Sequence, residues 1–147
     1  MGLKSQIQPG VNFTPAYQMS GTPYCITIDT VSHTTAIAVN FPFVTRWVVI
    51  SARDDAAGAV RVGFSENGVN TNPIANYFLL ELASDGTGAA GSRFNVLSPR
   101  LELRCKTLWI RGDAAALDKV SIIAGLTGID EGAFPTLSGS DGFSGIG

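Results

Sequence analysis

Few side chains here could do chemistry, and the first to weigh is His33, the one histidine. A single imidazole rules out zinc sites built on clustered histidines, and any Ser-His or Cys-His nucleophile would have to run through it. His33 stands between Ser32 and Thr34 in a turn-like stretch and is read as an ordinary exposed turn histidine. Cys25 and Cys105 are the two cysteines, with no Cys-x-x-Cys spacing. Each falls in an apolar strand pattern, where a thiol behaves as a small hydrophobe. Two buried, reduced thiols are expected rather than a disulfide.

The remaining motifs have the letters of a chemistry without its context. Gly86-Thr-Gly-Ala-Ala-Gly91 spells GxGxxG, but that chemistry needs a helix N-terminus aimed at a pyrophosphate. The residues that follow, Ser92 to Pro99, read as a short strand closed by proline, so the glycines form a hairpin loop. Arg111-Gly112-Asp113 is the integrin tripeptide, read as a turn after a strand. Asn12-Phe13-Thr14 is a glycosylation sequon that a chain outside the secretory path does not use. Asp29, Asp54, Asp55, Glu66 and Glu81 could pair as acid and base or bind calcium, yet the calcium-loop spacing is absent. Turn aspartates bonding their own backbone account for Asp54 and Asp55. Trp47 and Trp109 could make a sugar-stacking platform, but each sits inside an apolar strand and is read as core. No catalytic residue, metal site or cofactor follows, and the chain is read as not an enzyme.

The elements that would position anything else are strands. Tyr24, Ile26 and Ile28 alternate with Cys25, Thr27 and Asp29; Ile37, Val39 and Phe41 with Ala36, Ala38 and Asn40; Val60, Val62 and Phe64 with Arg61, Gly63 and Ser65. Trp47-Val-Val-Ile50 is a short apolar run of the buried-strand kind. Ala75 to Ala83 is read as a strand although two helical turns would also fit. Leu101, Leu103 and Cys105 alternate until the apolar phase slips at Thr107, which predicts a β-bulge before Leu108 and Ile110. Lys119 to Gly125 makes a last strand. Turn sequences at Asp54-Asp55-Ala-Ala-Gly58, Asn67-Gly68, Asn72-Pro73, Asp85-Gly86 and Gly112-Asp113 punctuate the runs. The reading is all-β: a single antiparallel, jelly-roll-like β-sandwich of about eight strands over residues 24–125.

Composition narrows the function. The chain has 147 residues, 45% hydrophobic and only 15% charged, with a net charge of −2. That is one domain with a sizeable core, and too apolar to be disordered throughout. Acids and bases balance between Tyr24 and Gly125, so the deficit comes from Lys4 against Asp130, Glu131 and Asp141. A neutral body lacks the clustered positive charge that nucleic-acid binding needs. The bases between Arg93 and Arg111 are read as a solvated or partner-facing strand edge. No run approaches the length of a membrane-spanning helix, and the first residues, Met1-Gly-Leu-Lys-Ser-Gln6, suggest neither a secretion signal nor N-myristoylation.

The ends differ from the body. Residues 1–23 form an extended arm with Pro9, Pro15 and Pro23 around Phe13 and Tyr17; residues 126–147 form a Gly/Ser-rich tail with Phe134 and Phe143. Neither can bury enough apolar surface alone to offset the entropy of ordering. Anchoring on a neighbouring subunit or partner is expected, through Phe13, Tyr17, Phe134 and Phe143, with Arg104 and Lys106 meeting an acidic surface. The alternative is that both ends fold back on their own sandwich.

An eight-strand sandwich flanked by an arm such as Gln8-Pro-Gly-Val-Asn-Phe-Thr-Pro15 and a Gly/Ser tail resembles the small jelly-roll cement, or decoration, proteins of tailed-phage capsids. The closing run Val120-Ser-Ile-Ile-Ala-Gly-Leu-Thr-Gly-Ile129 is similar to the final strand of small phage virion proteins. The resemblance is architectural and brings no functional residues with it. It implies a non-enzymatic homo-oligomer made in the host cytoplasm, sitting on the outer capsid surface of the virion and bridging subunits of a major capsid protein. The alternative is a lectin-like binding module using loops 54–58, 67–72 and 85–91.

Overall fold

The computed structural model describes residues 21–70, 76–86 and 93–147. Phe13 and Tyr17 of the arm, and parts of loops 67–72 and 85–91, lie outside the described residues. Nine strands and one short helix follow in order: β1 (Thr22–Val31), β2 (Ile37–Asn40), β3 (Phe43–Asp54), β4 (Ala59–Gly63), α1 (Glu66–Asn70), β5 (Tyr77–Glu81), β6 (Ala83–Ser84), β7 (Phe94–Leu97), β8 (Thr107–Gly112) and β9 (Leu117–Asp130).

The strands form two antiparallel sheets, ordered β1-β9-β3-β7-β6 and β2-β8-β4-β5. The pairs β1·β9, β2·β8, β3·β7 and β4·β5 are nested, as in one long hairpin rolled into two layers. That nesting is the jelly roll, with β6 as an added edge. Period-two alternation supplies the core. Val48, Ile50, Ala52, Val120, Ile122 and Ala124 face inward from the first sheet, against Val39, Val60, Val62, Leu80, Leu108 and Ile110 from the second. Each fully buried Ile or Leu contributes about 1.5–3 kcal/mol of transfer free energy.

Four sequence expectations need correction. The run Leu101 to Lys106 is not a bulged strand. Leu101 exchanges both backbone hydrogen bonds with Val48 in the first sheet, while the Lys106 carbonyl accepts from Phe41 N beside the second. The chain crosses between layers here, and the phase slip at Thr107 marks a change of sheet. Buried Thr45 fastens the crossing: its Oγ1 donates to Leu103 O at 2.8 Å and accepts from Cys105 N at 3.0 Å. Trp47 and Trp109 are not core residues, because Val48, Ile50, Leu108 and Ile110 take the inward phase and leave both indoles half-buried on outer faces. Cys25 is exposed rather than buried, since Tyr24 and Ile26 take the inward positions of β1. Asn67-Gly68 is no hairpin turn but part of α1. The strand expected within Ala75 to Ala83 is present as β5, and His33 lies exposed in the turn after β1.

Candidate functional site

The two sheets turn very different outer faces to their surroundings. Over the second sheet lies α1, whose Val69 is fully buried. Arg61 of β4 and Arg111 of β8, register partners, both donate from Nη1 to the Val69 carbonyl, at 3.2 and 3.4 Å. Two cations thereby serve the helix end where carbonyls have no intrahelical donor. Arg61 also donates from Nε to Asp113 Oδ1 at 2.6 Å and stacks over Tyr77, 4.6 Å from the ring centroid. Arg111 Nε donates to His33 O at 2.7 Å. Arg111-Gly112-Asp113 is therefore spent on internal contacts, with Gly112 buried.

The tail covers the rest of that face. β9 runs on to Asp130, so the tail proper begins with a 3-10 turn at Glu131–Ala133. Lys106 Nζ donates to Phe134 O at 3.0 Å, and Ser65 Oγ donates to Ile146 O at 2.7 Å while accepting from Gly68 N at 2.9 Å. The last residues seat directly on Gly68, where a Cβ would collide with the Ile146 carbonyl. The tail thus folds back on its own sandwich rather than reaching away from it. Lys106 holds that tail instead of standing free for a partner; Phe134 and Phe143 are half-buried and Arg104 is exposed. Sequence reasoning missed Ser65 and Gly68, whose only sign was a small residue before and within a turn-like stretch.

A groove of about 560 Å³ remains between the tail, α1 and the second sheet, with Phe64, Trp109 and Leu137 on its apolar side. Its polar groups are largely engaged within the chain; Thr107 Oγ1, for instance, donates to Asn40 Oδ1 at 2.9 Å. Two loops of the lectin alternative, as far as their described residues go, do not gather. Loop 54–58 precedes β4 and loop 67–72 follows it, so they lie at opposite ends of a strand about 17 Å long. Asp54 Oδ1 accepts from Ala56 N at 3.2 Å, the turn role expected of it.

Among the described residues, nothing covers the first sheet's outer face. Its register sets out four rows: Pro23, Gly125 and Trp47; Cys25, Ile123 and Val49; Thr27, Ser121, Ser51 and Leu97; Asp29, Lys119, Arg53 and Asn95. Leu97 is 70% exposed and Ile123 42%, and a shallow dent of about 180 Å³ joins them to Cys25 and Val49. Arg100 stacks over Trp47, 5.0 Å from the ring centroid, at one border. At the other, Lys119 Nζ meets Asp29 Oδ1 at 3.0 Å. Between them the hydroxyls of Thr27 and Ser121 bond each other at 3.0 Å. This is a flat, mostly apolar strip with a charged edge and no concave polar centre.

Cys105 is buried where Cys25 is exposed. Burial pushes its thiol up to about 11, against a smaller lowering by the hydrogen bond with Thr45. It stays a protonated, unreactive core residue. Among the described residues no group of three His, Cys, Asp or Glu is placed to hold a metal ion. Among the same residues no helix is long and apolar enough to cross a membrane.

No protein-family model matches the chain, and no curated protein matches it. One solved structure, from work on Bacillus endospore appendages as disulfide-linked pili, superposes with a TM-score of 0.32 at 20% identity, covering 74% of this chain and 90% of that one. A likeness at that level leaves the function to be read from the faces themselves.

Proposed function

We propose that this protein is a non-enzymatic structural subunit that works by assembling, of the cement or decoration kind found on capsid surfaces. The observation that carries the reading is the apolar face on β1, β9, β3 and β7, which none of the described residues covers, set against a second face that the chain covers for itself. Two-sheet jelly rolls serve as viral capsid domains and as lectins, so the fold alone does not decide between them. The face favours assembly: it is flat and apolar, where small-molecule sites are concave with converging polar groups. In this reading the subunit self-associates, meets a major capsid protein on the virion surface, and is made in the host cytoplasm. Arg104 and the aromatic arm residues Phe13 and Tyr17 add to the partner contacts, and Phe143 does so from the tail.

Native mass by light scattering over a rising concentration series, before and after brief proteolysis, tests this. A discrete oligomer is expected, with its sandwich surviving the protease. A monomer at every concentration would overturn self-assembly.

A further inference from the structure

We infer that the bare face docks on the same face of a second copy, through a two-fold axis running along β9. The inference rests on the assembly reading above and names the partner for its face. The argument starts from register. A two-fold along β9 keeps each row opposite itself and exchanges β1 with β3. Ile123 then meets Ile123, Cys25 meets Val49, Pro23 meets Trp47, and Thr27 meets Ser51. Apolar positions fall on apolar positions, and hydroxyls on hydroxyls.

Charge follows the same pairing. Asp29 of one copy comes opposite Arg53 of the other, twice across the axis. Arg53 is exposed and has no carboxylate partner among the described residues. The one like-charge meeting, Lys119 on Lys119, is offset by the Asp29 already paired to each. A two-fold across the strands would instead set the charged row against Trp47 and Pro23, which leaves Asp29 and Arg53 unmatched. The face is thus self-complementary in one orientation, as an isologous contact requires. Aligned sheets stacked this way cross at about 30°, within reach of a long arginine side chain.

Area sets the affinity. With the axis on β9, the strands β1, β9 and β3 find a strand opposite and β7 overhangs. Three strands about 4.8 Å apart carrying four rows about 6.7 Å apart cover about 390 Å² per copy, or about 770 Å² for the pair. That is below the usual size of a stable interface, so a weak, transient dimer is expected.

Substituting Ile123→Cys in a Cys25→Ser background tests the geometry. Stacked sheets stand about 10 Å apart, too far for a direct disulfide but within the span of a short bis-maleimide. Position 123 lies on the proposed axis and meets itself, and Cys105 is buried, so any link joins two copies. Each thiol adds across one maleimide double bond and nothing leaves. Denaturing electrophoresis should show rapid covalent dimer for Ile123→Cys with Cys25→Ser, and not for Cys25→Ser alone or for Cys25→Ser with Ala133→Cys, exposed in the turn that opens the tail. Sedimentation of Ile123→Asp should show Kd weakened at least about tenfold with unchanged melting. Arg53→Asp should weaken it less, and the swap Asp29→Arg with Arg53→Asp should recover it. If Ile123→Cys links no faster than Ala133→Cys while light scattering still finds an oligomer, this geometry is wrong and the assembly reading stands. A monomer throughout removes both.

Discussion

Trp109 and Leu97 both point away from the core, on opposite faces of one sandwich, and only Trp109 is covered. On its side, α1 is fixed by Arg61 and Arg111, and the tail is seated by Ser65, Gly68 and Lys106. On the other, an equally regular alternation leaves Leu97, Ile123, Val49 and Cys25 open. The difference teaches what the chain has been shaped to hide. Among the described residues, a helix and the seventeen C-terminal residues (131–147) lie on one face and none covers the other. Apolar surface left uncovered beside a covered twin is surface kept for another molecule.

The largest effects should fall on the covered face. Trp109→Ala should cost about 3 kcal/mol in denaturant unfolding, because a large packed indole is lost from under the tail. Gly68→Val should cost roughly 2–3 kcal/mol and expose the tail to protease, since its side chain collides with the Ile146 carbonyl. If either variant melts like the wild type, the seat is not a seat.

The two thiols sharpen the contrast. The folded state holds the Cys105 proton up to about 11, whereas an unfolded thiol releases it near 9.0. The unfolded chain therefore binds fewer protons in that window, and stability falls as pH rises through it, by roughly 2–3 kcal/mol in all. Below pH 9 this contribution is flat. Unfolding curves of wild type and Cys105→Ala across pH 8 to 11 should diverge by that amount; parallel curves would refute it.

Ion pairs should rank the same way. The Arg61–Asp113 side chains are 19% and 31% exposed, against 44% and 75% for Lys119–Asp29. Arg61→Ala also removes the stack on Tyr77 and a donor to α1, and should cost about 1–2 kcal/mol. Lys119→Ala should cost at most about 0.5 kcal/mol. Smallest of all, Leu97→Ala should leave monomer stability within about 0.5 kcal/mol of wild type. A large loss there would mean that the bare face is a structural part of the fold.

Much of this architecture was legible in the sequence. Tyr24/Ile26/Ile28, Ile37/Val39/Phe41 and Val60/Val62 lie inward as their alternation requires, and nested strands follow from their number and spacing. The faces were harder to read. In Trp47-Val-Val-Ile50 both phases are apolar, so periodicity cannot tell which residues turn inward; Trp109 could be placed outward from the Leu108/Ile110 phase, but its size argues for the core. At Thr107 a slipped phase has the same signature whether one residue bulges or the chain changes sheets; only the partners of Leu101 and Lys106 separate the two. The tail's seat depends on contacts between residues some eighty positions apart, Ser65 and Ile146, each unremarkable locally. The bare face was invisible because Cys25, Val49, Leu97 and Ile123 become neighbours only through strand register.

The most direct test of the central claim, that the uncovered face is the assembly surface, is the rate at which a maleimide labels Cys25 as protein concentration rises. Cys25 sits within that face while Cys105 is buried, so one thiol per chain should react in the native state. The account predicts that labelling of Cys25 slows as the protein self-associates, and that Ile123→Asp restores the fast rate. A rate that stays constant while the native mass grows would place the contact elsewhere on the molecule and contradict the account.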